Sequence, residues 1–210
     1  MLFLTVREQA VSVRGVFRFF RACSDVYMQN FWSEPIIHLP QDARSLARAM
    51  EICQYLMRQE GYVEGTTVVV ALGSGVHEVV GSWKASWDPS WKTTEKTLSV
   101  PFDNLSFVGK GEGETIVDGC FVVENGRTVS FEGLAVTNLR PADRIFSRGG
   151  HGLIASGAGT KIFLKNVTLE NCLFQGLYVG DGAKFDATGC HVPLASYLGQ
   201  PSVLSGPKWS

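Results

Sequence analysis

Between residues 104 and 192 the apolar side chains fall on every second position in short bursts: Leu105 and Phe107, Val129 and Phe131, Ile162 and Leu164, Phe185 and Ala187. The interleaved positions are Ser106, Ser130, Phe163 and Asp186, followed by Val108, Glu132, Lys165 and Thr188. A period of two predicts strands with one buried face. Each burst runs into Gly109, Gly133, Asn166 or Gly189, residue types that tolerate positive φ and so predict a bend. A second short strand follows the bend at "LAV" (134–136), "VTL" (167–169) and "CHV" (190–192).

The bursts repeat. "GLIASGAGTK" (152–161) returns as "GLYVGDGAK" (176–184), a shift of 24. "NLSFVGKG" (104–111) lies over "TVSFEGLA" (128–135), again a shift of 24. "TKIFLKNVTL" (160–169) lies over "AKFDATGCHV" (183–192), a shift of 23. "TVSFEGLAVTN" (128–138) lies over "KIFLKNVTLEN" (161–171) at 33, the longer step being accounted for by the insertion "LRPADRIFSRGG" (139–150). A fixed period of this size marks a stacked repeat. Equivalent strands must lie side by side in parallel, because each coil leaves half of its backbone hydrogen bonds to its neighbours. The fold class expected is an all-β solenoid, a short parallel β-helix of about four coils over residues 66–192. Glu132 and Lys165 would then sit about 4.8 Å apart on the outer face, a mildly favourable pair.

The flanks predict different structures. "TTVVVALGSGVHEVV" (66–80) reads as the first coil. Residues 39–62 read as an amphipathic helix, with Asp42 as its cap and Leu46, Ala49, Met50, Cys53 and Leu56 on one face. Such a helix would close the open end of the column, as solenoid ends require. After Val192 the repeat stops, and residues 193–210, with Pro193, Pro201 and Pro207, read as an irregular tail. The C-terminal edge then lacks an evident cap, which points to a partner there or to a truncated member of a longer family.

Residues 66–192, with "VVVALGSGVHEV", "LSFVGKGEGETIVDG" and "VENGRTVSFEGLAVTN", resemble right-handed parallel β-helix proteins of the pectin lyase-like superfamily. That resemblance implies the fold and a right-handed coil. Its enzymes act on acidic polysaccharides as lyases, hydrolases, esterases or epimerases. A second resemblance lies in residues 1–38, where "VRGVFRFFRACSDVYMQNFW" (13–32) is similar to the latter half of an F-box without its Leu-Pro opening. It implies a substrate adaptor; the alternative is an amphipathic helix packed on the capping region.

Composition narrows the functions. The chain has 210 residues, 45% hydrophobic and 19% charged, with a net charge of −1. No basic excess invites nucleic acid or an anionic membrane, and no apolar run is long enough to span a bilayer. Five cysteines in irregular spacing, with no CxxC, fit a reduced, cytoplasmic setting. The sequons at Asn104 and Asn166 are then chance matches.

The two outward ladders, Ser106–Ser130–Phe163–Asp186 and Val108–Glu132–Lys165–Thr188, stack no two carboxylates, whereas glycosidic hydrolysis needs a facing pair. "GGHGL" (149–153) is similar to the Gly-His-Gly motif of polygalacturonases, but the partner motifs are missing and His151 aligns with Gln175 at a turn between coils. His77 and Glu78 are adjacent in a strand and point to opposite faces. "GKGEGET" (109–115) lacks the ending of a phosphate loop and reads as a coil turn. No metal-ligand spacing occurs, and no cofactor is expected. The candidate ligand-binding residues are Trp83, Trp87 and Trp91, four apart in "GSWKASWDPSWKTTEKT" (81–97). Exposed, they would form platforms for sugar rings or protein partners; the alternative is burial against the column. The expectation is a non-catalytic binding or scaffold module for protein or carbohydrate, with a fragment of a polysaccharide-acting enzyme and an F-box-like adaptor as alternatives.

Overall fold

A computed structural model describes residues 31, 35–58, 62–79, 96–111, 113–138, 150–172 and 175–192. The F-box-like stretch (bar Phe31), the segment bearing Trp83, Trp87 and Trp91, and residues 193–210 lie outside the described residues.

The described chain is mostly parallel β-sheet with one helix. A first ladder contains β1 (Ile36–Leu39), β2 (Val68–Leu72), β5 (Leu105–Val108), the start of β8 (Thr128–Asn138), the start of β10 (Lys161–Cys172) and β12 (Lys184–Thr188), in that order. A second ladder joins β3 (Gly75–Glu78), β6 (Thr115–Asp118) and the later halves of β8 and β10. A separate four-stranded sheet runs β4 (Thr97–Ser99), β7 (Cys120–Val123), β9 (Leu153–Ser156) and β11 (Leu177–Gly180). The first ladder thus holds one strand, β1, beyond those read from residues 66–80 and the four bursts.

The registers agree with the sequence repeats. Leu105 pairs with Val129, Val129 with Ile162 and Ile162 with Phe185, at shifts of 24, 33 and 23. In the four-stranded sheet Leu153 pairs with Leu177, a shift of 24. Register is fixed in this way because a slip by one residue would turn every inward side chain to solvent. Strands β8 and β10 serve two ladders by bending at Gly133 (φ 62) and Asn166 (φ 52), the positions picked out as bends. Gly109 is required for another reason: a Cβ there would run into the carbonyl oxygen of Gly133 in the next strand.

One large apolar cluster packs between the strands. Its centre is an aromatic trio from three strands: Phe107 stacks on Phe131 at 5.1 Å, and Phe121 lies 4.9 Å and 5.0 Å from the two. Their burial is complete or nearly so. Such rings contribute beyond area burial alone.

The N-terminal end differs from expectation in detail. Helix α1 spans Leu46–Leu56, shorter than residues 39–62, and its cap is Ser45, whose hydroxyl accepts from Arg48 N at 3.2 Å. Asp42 is not the cap. Its carboxylate accepts from His38 N at 2.8 Å and so closes the turn after β1. Ile36–Leu39, the end of the region 1–38 expected to be helical and the first residue of the expected capping helix, instead form strand β1, parallel to β2, and residues 40–45 turn into α1. The inner side of α1, with Leu46, Ala49, Met50, Ile52, Cys53 and Leu56 buried, joins the same core as Ile37 and Leu39.

Candidate functional site

The first ladder presents its polar alternation outward. Ser106, Ser130, Phe163 and Asp186 stand in register across β5, β8, β10 and β12, as do Val108, Glu132, Lys165 and Thr188. Phe163 is the anomaly. It lies on the solvent side of a strand whose inward residues Ile162 and Leu164 are buried, and it is 45% exposed. Lys161 and Lys165 flank it two positions away on the same face. Lys165 Nζ meets Glu132 Oε1 at 2.7 Å, the pair expected from the alignment. Lys161 stands in register with Lys184. The patch is therefore a flat apolar ring framed by charges and hydroxyls, a surface able to bind rather than a pocket able to enclose.

A third outward ladder was not legible in the repeat. Glu78 of β3 pairs with Asp118 of β6, so two carboxylates do stack on neighbouring strands. This corrects the expectation drawn from the first two ladders alone. Lys96 Nζ forms an ion pair with Asp118 Oδ2 beside them. Ser74 Oγ donates to Glu114 Oε2 at 3.3 Å on the same side of the β2–β3 turn. His77 faces away from Glu78, with its Nε2 2.9 Å from the carbonyl oxygen of Gly73.

His151 lies just before β9, beside the chain at Gln175 with which it aligns; Gly152 N donates to Gln175 O at 3.1 Å. Its carbonyl oxygen accepts from Asn138 Nδ2 at 2.7 Å, and its ring packs against Tyr178 with centroids 5.7 Å apart. Burial holds the imidazole down to about 4, opposed by its hydrogen bond with the Gln175 backbone. The ring is thus neutral near pH 7, held by packing. Burial also pushes the Cys53 thiol up to about 12 and the Cys172 thiol up to about 11, so neither supplies a thiolate nucleophile at neutral pH. The "GKGEGET" stretch forms the β5–β6 turn: Lys110 N donates to Thr115 Oγ1 at 2.9 Å and Gly111 N to Gly133 O at 2.9 Å.

Among the described residues no group of three or more His, Cys, Asp or Glu side chains could hold a metal ion, and no helix is long and apolar enough to cross a membrane. A scan of protein-family models finds no match to this chain, and searches of curated proteins and of solved structures find no significant match either.

Proposed function

We propose that the chain is a short right-handed parallel β-helix of the pectin lyase-like type, working as a non-catalytic binding or scaffold module for protein or carbohydrate. The fold reading is supported by the chain's itinerary. It passes β2, β3, β4, then β5, β6, β7, then β8 and β9, then β10 and β11, returning to the same ladders in the same order with every pairing parallel. Unbridged thiols at Cys53, Cys172 and Cys190 fit a reducing, cytoplasmic compartment.

The observation that carries the binding reading is Phe163, an exposed ring on a flat strand face between Ser130 and Asp186. A face of this kind offers stacking to a sugar ring or an anchor site to a protein. Phe163→Ala leaves the core untouched, so thermal unfolding against a panel of acidic and neutral polysaccharides is a direct test. Stabilisation of the wild-type chain that Phe163→Ala abolishes assigns a carbohydrate module. Stabilisation that survives the substitution moves the site elsewhere, first to Trp83, Trp87 and Trp91. A wild-type chain that responds to no glycan directs the reading to a protein partner.

One observation favours a second reading, a fragment of a polysaccharide-acting enzyme. Glu78 and Asp118 stand in register with Lys96 beside them, and stacked carboxylates are what acid–base work on a sugar chain requires. Cleavage of an acidic polysaccharide that disappears in Glu78→Gln or Asp118→Asn would establish it.

A further inference from the structure

The last strand of the first ladder has an open side. Among the described residues β12 has β10 as its one neighbour. Lys184 N donates to Thr160 O across that pairing. In a parallel ladder successive residues direct their backbone groups to opposite sides. The N–H and C=O groups of Phe185 and Ala187 therefore point away from β10, along the axis of the column. Their side chains lie over the core at the ladder positions of Val129 with Ile162 and Phe131 with Leu164, which are buried, yet Phe185 and Ala187 are half-buried.

The opposite end is less suited to fill this edge by head-to-tail stacking. In β1 the outward-pointing backbone groups are those of Ile36 and His38, and both of His38's are occupied. Its N–H donates to Asp42 Oδ2, and its carbonyl accepts from Asp42 N at 2.7 Å. A partly closed end and an open end on one molecule favour the open ends meeting each other.

We propose that two copies of this chain join tail to tail through β12, paired antiparallel about a two-fold axis at Phe185. The strand's own sequence selects that register. With Phe185 opposite Phe185 of the second copy, the two residues exchange both backbone hydrogen bonds, and Ala187 N–H meets the carbonyl of Ala183. On the outer face Lys184 then stands opposite Asp186, twice, in the closely spaced non-hydrogen-bonded pairs where side chains interact most. An axis at Ala187 would set Asp186 against Thr188 and gain no charge pair. On the inner face Ala183, Phe185 and Ala187 continue the core from one copy to the other.

The test is the oligomeric state of the full chain and of charge variants, by sedimentation and by light scattering after gel filtration. Lys184, Asp186 and Thr188 are exposed, so substitutions at the first two leave the core intact. The wild-type chain is expected as a dimer. Lys184→Asp alone and Asp186→Lys alone each set like charges opposite one another twice and weaken dimerisation by roughly tenfold or more. The double exchange K184D/D186K restores it. An equimolar mixture of the two single variants forms a heterodimer, because each copy then meets its opposite charge. A wild-type chain that is monomeric at every accessible concentration overturns the proposal. So does a dimer indifferent to both single variants, or one that neither the double exchange nor the mixture rescues.

Discussion

At the N-terminal end of the first ladder, Ile37 and Leu39 of β1 lie beneath α1 and are buried. At its C-terminal end, Phe185 and Ala187 of β12 occupy equivalent inward positions and are half-buried. The strands are of similar length and both belong to one ladder. What differs is what the chain does next. After β1 it turns back through Asp42, satisfies His38, and lays an amphipathic helix across the end. After β12 it makes one further parallel bridge, Thr168 to His191. Inward hydrophobicity alone does not bury a rung of a stacked ladder; burial needs a layer on both sides.

The largest effect that tests this difference comes from paired truncations. Phe131→Ala in the middle of the aromatic trio should cost about 3–5 kcal/mol in urea unfolding. In the Lys184→Asp background, where β12 is left unpaired, Phe185→Ala should cost about 1 kcal/mol, since less of its surface leaves water. Equal losses there would break the comparison. Amide exchange of the same unpaired variant sharpens it further, with β8 expected to be protected longest and β12 to open first.

Next in size is a pH effect from the interior. His151 has an ordinary value near 6.5 when unfolded and is held down to about 4 when folded. The unfolded chain therefore binds a proton that the folded chain refuses. Stability is full above about pH 6.5, falls as pH drops towards 4, and levels off below, by up to about 3 kcal/mol. His151→Gln should flatten that slope in denaturant titrations at stepped pH. A slope that persists in the variant would move its origin to another group.

The sequence made some of this legible and not the rest, for physical reasons. The ladder from β5 to β12 could be read residue by residue, down to the Glu132–Lys165 pair, because alternation fixes register wherever one face is buried. The Glu78–Asp118 ladder could not. Its strands are four residues long and their partners stand 40 positions apart, Val76 with Ile116, beyond the repeat. Strand β1, "IIHL", was too short to mark itself off from the helical regions expected on either side, 1–38 and 39–62. Asp42 and Ser45 are equally good caps by type. Only the turn after β1, which takes the Asp42 carboxylate, decides between them. Phe163 was placed correctly on the outer ladder, but an alternating pattern does not announce that an apolar residue facing out is a surface feature.

Two smaller effects complete the comparison. Ser45→Ala removes the helix cap and should cost about 1 kcal/mol; a null result would mean that α1 is held by its apolar face alone. Glu132→Gln breaks an exposed pair with Lys165 and should cost less than about 0.5 kcal/mol, read as a small shift in the unfolding midpoint. A larger loss would make that outer face a structural element rather than a surface.

The connection between the second ladder and the four-stranded sheet spans a single glycine, Gly119, after β6, but residues 79–96 after β3, 139–152 after β8 and 173–176 after β10. None of these differences disturbs the order of the flanking strands. That corner tolerates connections of very different length, and closing a longer loop costs entropy that grows only slowly with length. It is therefore the place in the fold where inserted peptides can be displayed while the flanking strands keep their pairing.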